Sequence, residues 1–148
     1  MKIKIDTAKV LKKLEKYKIE VEEDVKIAVL DNAKKIELDA KNNAPIDNGK
    51  LRQSIYEEQT DEKGLSRKIA VGGAAREYAP YQEFGTGTKV DLKYLVEAGL
   101  PESYAMQYKG KGIREVNLKP QPFLFPAFIR HSKGFIDDLK KILEKVSK

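Results

Sequence analysis

The residues that could do chemistry are few, and their spacing argues against each reaction they would serve. His131 is the only histidine, and the chain has no cysteine, so disulfides and thiolate metal sites are excluded. His131 falls on the apolar stripe of a C-terminal helical pattern, the place of a packed or helix-edge imidazole rather than a general base. No serine and carboxylate complete a triad with it, and no cluster of acids and histidine has metal-ligand spacing. The acids Glu57-Glu58 and Asp61-Glu62 could be drawn as a hydrolytic pair, but they sit beside Lys63 in a strand–turn pattern and read better as a solvated hairpin tip. Gly85-Thr86-Gly87-Thr88-Lys89 superficially resembles a phosphate loop, yet lacks the frame in which two glycines with four residues between them precede lysine and a hydroxyl residue. A glycine hinge is the simpler reading. Tyr78, Tyr81 and Phe84 could stack on bases, but at spacing three they form one apolar edge expected to pack inward. No catalytic residue, metal or cofactor is expected.

The elements that would carry these residues follow from apolar periodicity. Between about Thr7 and Asn43, apolar residues from Leu11 to Ala40 recur in steps of three and four, which predicts one long amphipathic helix with Asp6 or Thr7 as N-cap. Glu22–Lys26, Asp31–Lys35 and Glu37–Lys41 are acid-before-base pairs at helical spacing. Such a helix would reach roughly 50 Å, longer than a small domain is wide, so it bends or projects towards another subunit. Asn42-Asn43-Ala44-Pro45 stops it and Asp47-Asn48-Gly49 turns the chain. Lys50–Tyr56 and Leu65–Val71 read as an antiparallel hairpin around the turn Asp61–Gly64, closed by Gly72-Gly73. Pro80 is expected to open a single helical turn that Gly85 closes.

From Thr88 to Lys119 periodicity weakens, and the expectation is a long mobile loop with a basic tip and a short helix at Leu92–Ala98. Pro120-Gln121-Pro122 then introduces a second stripe: Leu124, Phe128, His131, Phe135, Leu139, Ile142 and Val146. The fold class that follows is α+β, with a long N-terminal helix and a C-terminal helix packed on a small antiparallel sheet. One domain over residues 1–148 is expected, with the loop at about 88–119.

The net charge is +6, but lysines alternate with acids, and only residues 120–148, with six basic and three acidic groups, show a clear excess. That excess supports a small basic nucleic-acid-binding protein as the alternative reading. The opening residues contain no apolar signal core, and no apolar run approaches the roughly 20 residues that span a bilayer. Synthesis in the cytoplasm without membrane association is expected.

Three segments in order carry a family resemblance: Ala44-Pro45 with Gly49-Lys50-Leu51-Arg52-Gln53-Ser54-Ile55; Tyr78-Ala79-Pro80-Tyr81-Gln82-Glu83-Phe84-Gly85-Thr86-Gly87; and Gln121-Pro122-Phe123-Leu124-Phe125-Pro126-Ala127. With the long opening helix, they resemble the gene-product-ten tail-component family of long-tailed bacteriophages, among the head–tail joining and tail-completion proteins. Asn48 departs from the threonine usual before that glycine. The resemblance implies a virion protein of a phage or prophage, made in the bacterial cytoplasm, and no enzyme. Its implied partners are copies of itself in a ring and other head–tail or tail proteins. DNA would pass through the lumen without sequence-specific binding. Within the motifs, Arg52, Tyr78, Tyr81, Glu83, Phe84, Gly85 and Gly87 are the interface or structural residues. Arg52 and Glu83 are either two separate surface charges or an ion pair fixing the Tyr78–Gly87 turn against the sheet. Lys109, Lys111, Arg114 and Lys119 mark a loop that orders on docking to a neighbour. Phe123-Leu124-Phe125 seats the last helix on the sheet, or in part meets another subunit.

Overall fold

A computed structural model describes residues 7–47, 49–87, 93–97, 101–107 and 118–146. Its elements are α1 (Thr7–Asn43), α2 (Lys50–Ser54), β1 (Ile55–Gln59), β2 (Arg67–Val71), α3 (Ala75–Phe84), α4 (Lys93–Glu97), α5 (Glu102–Met106) and α6 (Leu124–Val146). The α+β expectation holds: two long helices flank one two-stranded antiparallel sheet, with Ile55 opposite Val71 and Gln59 opposite Arg67.

The α1 helix runs unbroken for 37 residues. Of the expected pairs along it, Lys26 meets Glu22 at 3.4 Å and Lys41 meets Glu37 at 2.6 Å. Asp6 lies outside the described residues, as does Asn48 in the turn after α1. α6 lies antiparallel to α1, because Arg130 reaches Asp39 near one end while Lys145 reaches Asp24 further back. The core forms where α1, α6, the sheet and α3 converge. Ile36, Ala40, Ala44, Leu51, Ile55, Ala75, Ala79, Phe123 and Ala127 make one buried cluster, edged by Ile69, Val71 and Leu124. Its many alanines let helix backbones approach closely, while Phe123 and Ile55 supply the bulk.

Two expectations about secondary structure need correction. Lys50–Ser54 is a helical turn and not the start of a strand. Gly49, at φ 73°, redirects the chain, and its carbonyl accepts the Gln53 N–H. The Ser54 hydroxyl donates back to the Lys50 carbonyl at 2.7 Å, which closes the turn and buries Leu51. Only at Ile55 does the backbone become extended. Likewise, Pro80 does not open α3. The helix begins at Ala75, after Gly73 at φ 57° ends the strand, and Pro80 sits inside it. A proline there forfeits one helical hydrogen bond. Gly85, at φ 76°, does close the helix, its N–H donating to the Tyr81 carbonyl.

The expected turn between the strands is present. The Asp61 carboxylate accepts the Leu65 and Ser66 N–H groups at 3.1 and 2.9 Å, and Gly64 takes the positive φ that the reversal needs. Within the expected loop, the described residues hold two short helices, α4 close to the expected position and α5 unanticipated. The basic tip lies outside the described residues. Among those described, no helix is long and apolar enough to cross a membrane.

Candidate assembly surface

The second and third motif segments meet along one seam. Glu83 is the sole charged residue on the inward face of α3, and it is 3% exposed. Its carboxylate crosses to the start of α6 and accepts the backbone N–H of Phe123, Leu124 and Phe125 at 2.8, 3.0 and 3.0 Å. These are the donors that every helix N-terminus leaves without an internal partner, and the next residue, Pro126, has none to offer. A negative charge at this end is also favoured by the helix dipole. Burial nonetheless pushes the Glu83 carboxyl above the ordinary carboxylate range, against the pull of the three N–H groups. Neighbouring bonds extend the seam: the Gln121 N–H donates to the Gln82 carbonyl at 2.7 Å, and Thr86 and Leu118 exchange two hydrogen bonds. Phe84, 2% exposed, meets Phe125 in a tilted contact and Tyr104 edge-on.

Seen against this geometry, the expected motif residues divide. Glu83, Phe84 and Gly85 hold the seam together, with Gly87, at φ 59°, in the turn that follows. Arg52 does not join them. It is exposed on α2, and its Nη2 donates to the Asn42 Oδ1 at 3.1 Å, so no Arg52–Glu83 pair forms. Tyr78 and Tyr81 do not pack inward with Phe84 either, since Tyr81 is 43% and Tyr78 37% exposed. The reason is angular. Spacing of three drifts round a helix, whereas Ala75, Ala79 and Glu83, four apart, keep to the buried side. Lys119 is exposed; Lys109, Lys111 and Arg114 lie outside the described residues.

The capping role of Glu83 was missed from sequence, although a signal existed. No Ser, Thr, Asp or Asn stands at the start of α6, so its free N–H groups require an acceptor from elsewhere. A second missed feature is Glu57, which is no solvated tip. Its side chain is largely buried between Lys34 of α1 and Arg67 of β2, each at 2.6 Å. The Lys34 hydrogen bond, then Arg67, hold its carboxyl below the ordinary range despite burial. His131 is a half-buried helix-edge residue with Nε2 3.1 Å from Asp39, whose carboxylate also accepts from Arg130.

What remains is surface. All side chains from Leu11 to Glu20 are exposed, including Leu11, Leu14 and Tyr17 of the stripe. A groove of about 490 Å³ runs between α1, Leu65 of the hairpin and Leu143 and Val146 of α6. Beyond Leu14, α1 continues as an arm towards Thr7 for about 10 Å past this groove, which it shares with the end of α6. A second groove, of about 370 Å³, lies between α1, β2 and α6 beside Phe128 and Ile136, both about half exposed. Among the described residues, no group of three or more His, Asp or Glu is placed to hold a metal ion.

No curated protein and no solved structure matches this chain. Residues 8–85 match the family of the bacteriophage HK97-gp10 tail component. The match takes in the arm, α2, the hairpin and α3 with Glu83, and stops before the segment that Glu83 grips. Because it covers more than half of the chain, the chain belongs to the bacteriophage HK97-gp10-like tail-component family.

Proposed function

We propose that this protein serves head–tail joining or tail completion in a tailed phage or prophage, by ring-type assembly of its copies on other head–tail or tail proteins, and that it catalyses no reaction. The observation that carries this reading is the extent of apolar surface left open on both long helices. Leu11, Leu14 and Tyr17 on α1 and Phe128, Ile136 and Leu143 on α6 are all exposed. Single exposed apolar residues are ordinary, but continuous rows of them belong to surfaces that meet other proteins. In this reading residues 1–148 act as one tail-component-like unit, and DNA passes the lumen without sequence-specific contacts. The exposed Arg52, Tyr78 and Tyr81 lie at subunit contacts, and the segment bearing Lys109, Lys111, Arg114 and Lys119 docks on a neighbour.

A phage lacking this protein tests the reading. Filled heads accumulating apart from finished tails are expected for a joining role, and tails with unfinished ends for a completion role. Electron microscopy of the concentrated protein should show rings. Infective particles of normal form from the deleted phage would overturn it.

A further inference from the structure

The open arm of α1 has a pattern that its own copy fits. Along the groove at its root, positions 14, 18, 21 and 25 step by 4, 3 and 4, the seam of two helices packed side by side, and Leu11 continues the same row beyond the groove. Lys18 and Glu22 are the charged residues that line this groove, and they are of opposite sign. The other α1 positions lining it are apolar or aromatic, at Leu14, Tyr17, Val21 and Val25. If the stripe is turned end for end about a twofold axis between Ile19 and Glu20, Leu14 falls opposite Val25 of the second copy. Lys18 falls opposite Val21, within reach of the second copy's Glu22, and the axis repeats both contacts. A parallel arrangement would set each lysine beside its own copy and lose this match. Glu22 is free to exchange partners, because its contact with Lys26 spans 3.4 Å at a partly exposed site and Lys26 also serves Glu23 at 2.9 Å.

We infer that the free end of α1 is a self-recognition arm, pairing antiparallel with the α1 arm of a second copy of this chain. Apolar rows cover one another, and two Lys18–Glu22 pairs set the direction. Such a contact uses the same patch on both copies and closes at two, leaving no open end for a third. It is therefore distinct from a ring contact, which would be built through other open residues such as Phe128 and Ile136 of α6, and it stands or falls without the head–tail reading.

The absence of cysteine makes a clean test available in the full-length protein. Nitroxide labels are placed singly on Ile19→Cys and Lys12→Cys, at exposed positions that do not line the groove. Antiparallel pairing brings labels at 19 within about 2 Å of each other along the helix axis and offsets labels at 12 by about 22 Å. Pulsed dipolar spectroscopy should thus give a much shorter distance at 19 than at 12. Equal distances, meaning a parallel pair, or no dipolar coupling at the highest attainable concentration would overturn the inference. A second arm of the test uses charge. Lys18→Glu and Glu22→Lys alone should each weaken dimerisation about tenfold, since both contacts become like-charged. A one-to-one mixture of the two variants should recover a heterodimer close to wild-type affinity. If sedimentation finds no such recovery, or finds each variant dimerising as wild type, the pairing is wrong. Circular dichroism checks that α1 stays helical in each variant.

Discussion

Between Ala33 and Ala40 the apolar stripe of α1 lies under α6 and against the hairpin, while between Leu11 and Tyr17 the same spacing of apolar residues stands open. The two halves belong to one uninterrupted helix and differ in what covers them. They also differ in side-chain size. The covered half presents Ala33 and Ala40 on either side of Ile36, and the alanines let a neighbouring helix lie close. The open half presents leucine and tyrosine, which offer a partner more area to bury. Periodicity tells which way a face points; the length and position of the other elements decide whether it is covered. Here α6 reaches back to Asp24 through Lys145, and the arm continues beyond.

The contrast can be broken by removing the cover. Glu83→Ala leaves one buried and two part-buried N–H groups at the start of α6 without their acceptor, and a loss of roughly 2–5 kcal/mol is expected in denaturant unfolding. A loss under about 1 kcal/mol would show that the carboxylate does not secure α6. Next in size, Ile36→Ala removes a side chain only 3% exposed and should cost about 2–4 kcal/mol by the same measurement.

Acid sharpens the contrast at the hairpin. Glu57 is depressed by Lys34 and Arg67, so its contribution is complete above the ordinary carboxylate range and lost as pH falls through its folded value. Stability should decline on acidification, and Glu57→Gln should flatten that decline while costing about 1–2 kcal/mol at neutral pH. Melting temperature followed against pH in both proteins reads the difference. Glu83 has the opposite sign: raised by burial, it favours the fold below the ordinary range and loses that contribution as pH rises through its folded value. The smallest effect belongs to the arm. Leu14→Ala, at a side chain 58% exposed, should change unfolding free energy by less than about 0.5 kcal/mol and act on association instead. A loss approaching that of Ile36→Ala would mean that the arm is covered within the monomer.

Much of this was legible beforehand, and the misses share a cause. The bounds of α1, the reversal at Asp61–Gly64 and the closure of α3 at Gly85 depend on neighbouring residues, so local rules found them. Lys50–Ser54 has a composition that suits either state; Gly49 and the Ser54 back-bond decide for the helix. A spacing of three points Tyr78 and Tyr81 inward with Phe84, but the buried face of α3 steps by four. The Arg52–Glu83 alternative matched two charges by sign, whereas the nearest acceptors and donors proved to be Asn42 and the backbone of α6.

By itself, the sequence determined the two long helices with their apolar stripes, the reversal at Asp61–Gly64 and the family motifs, since each arises from residues a few positions apart. Tertiary structure alone decided that Glu83 completes a helix forty residues away, that the Glu57 side chain is held between two cations, and that, among the described residues, one end of α1 is exposed. Those outcomes depend on which elements meet in space. No periodicity along a single chain records where a neighbouring helix stops.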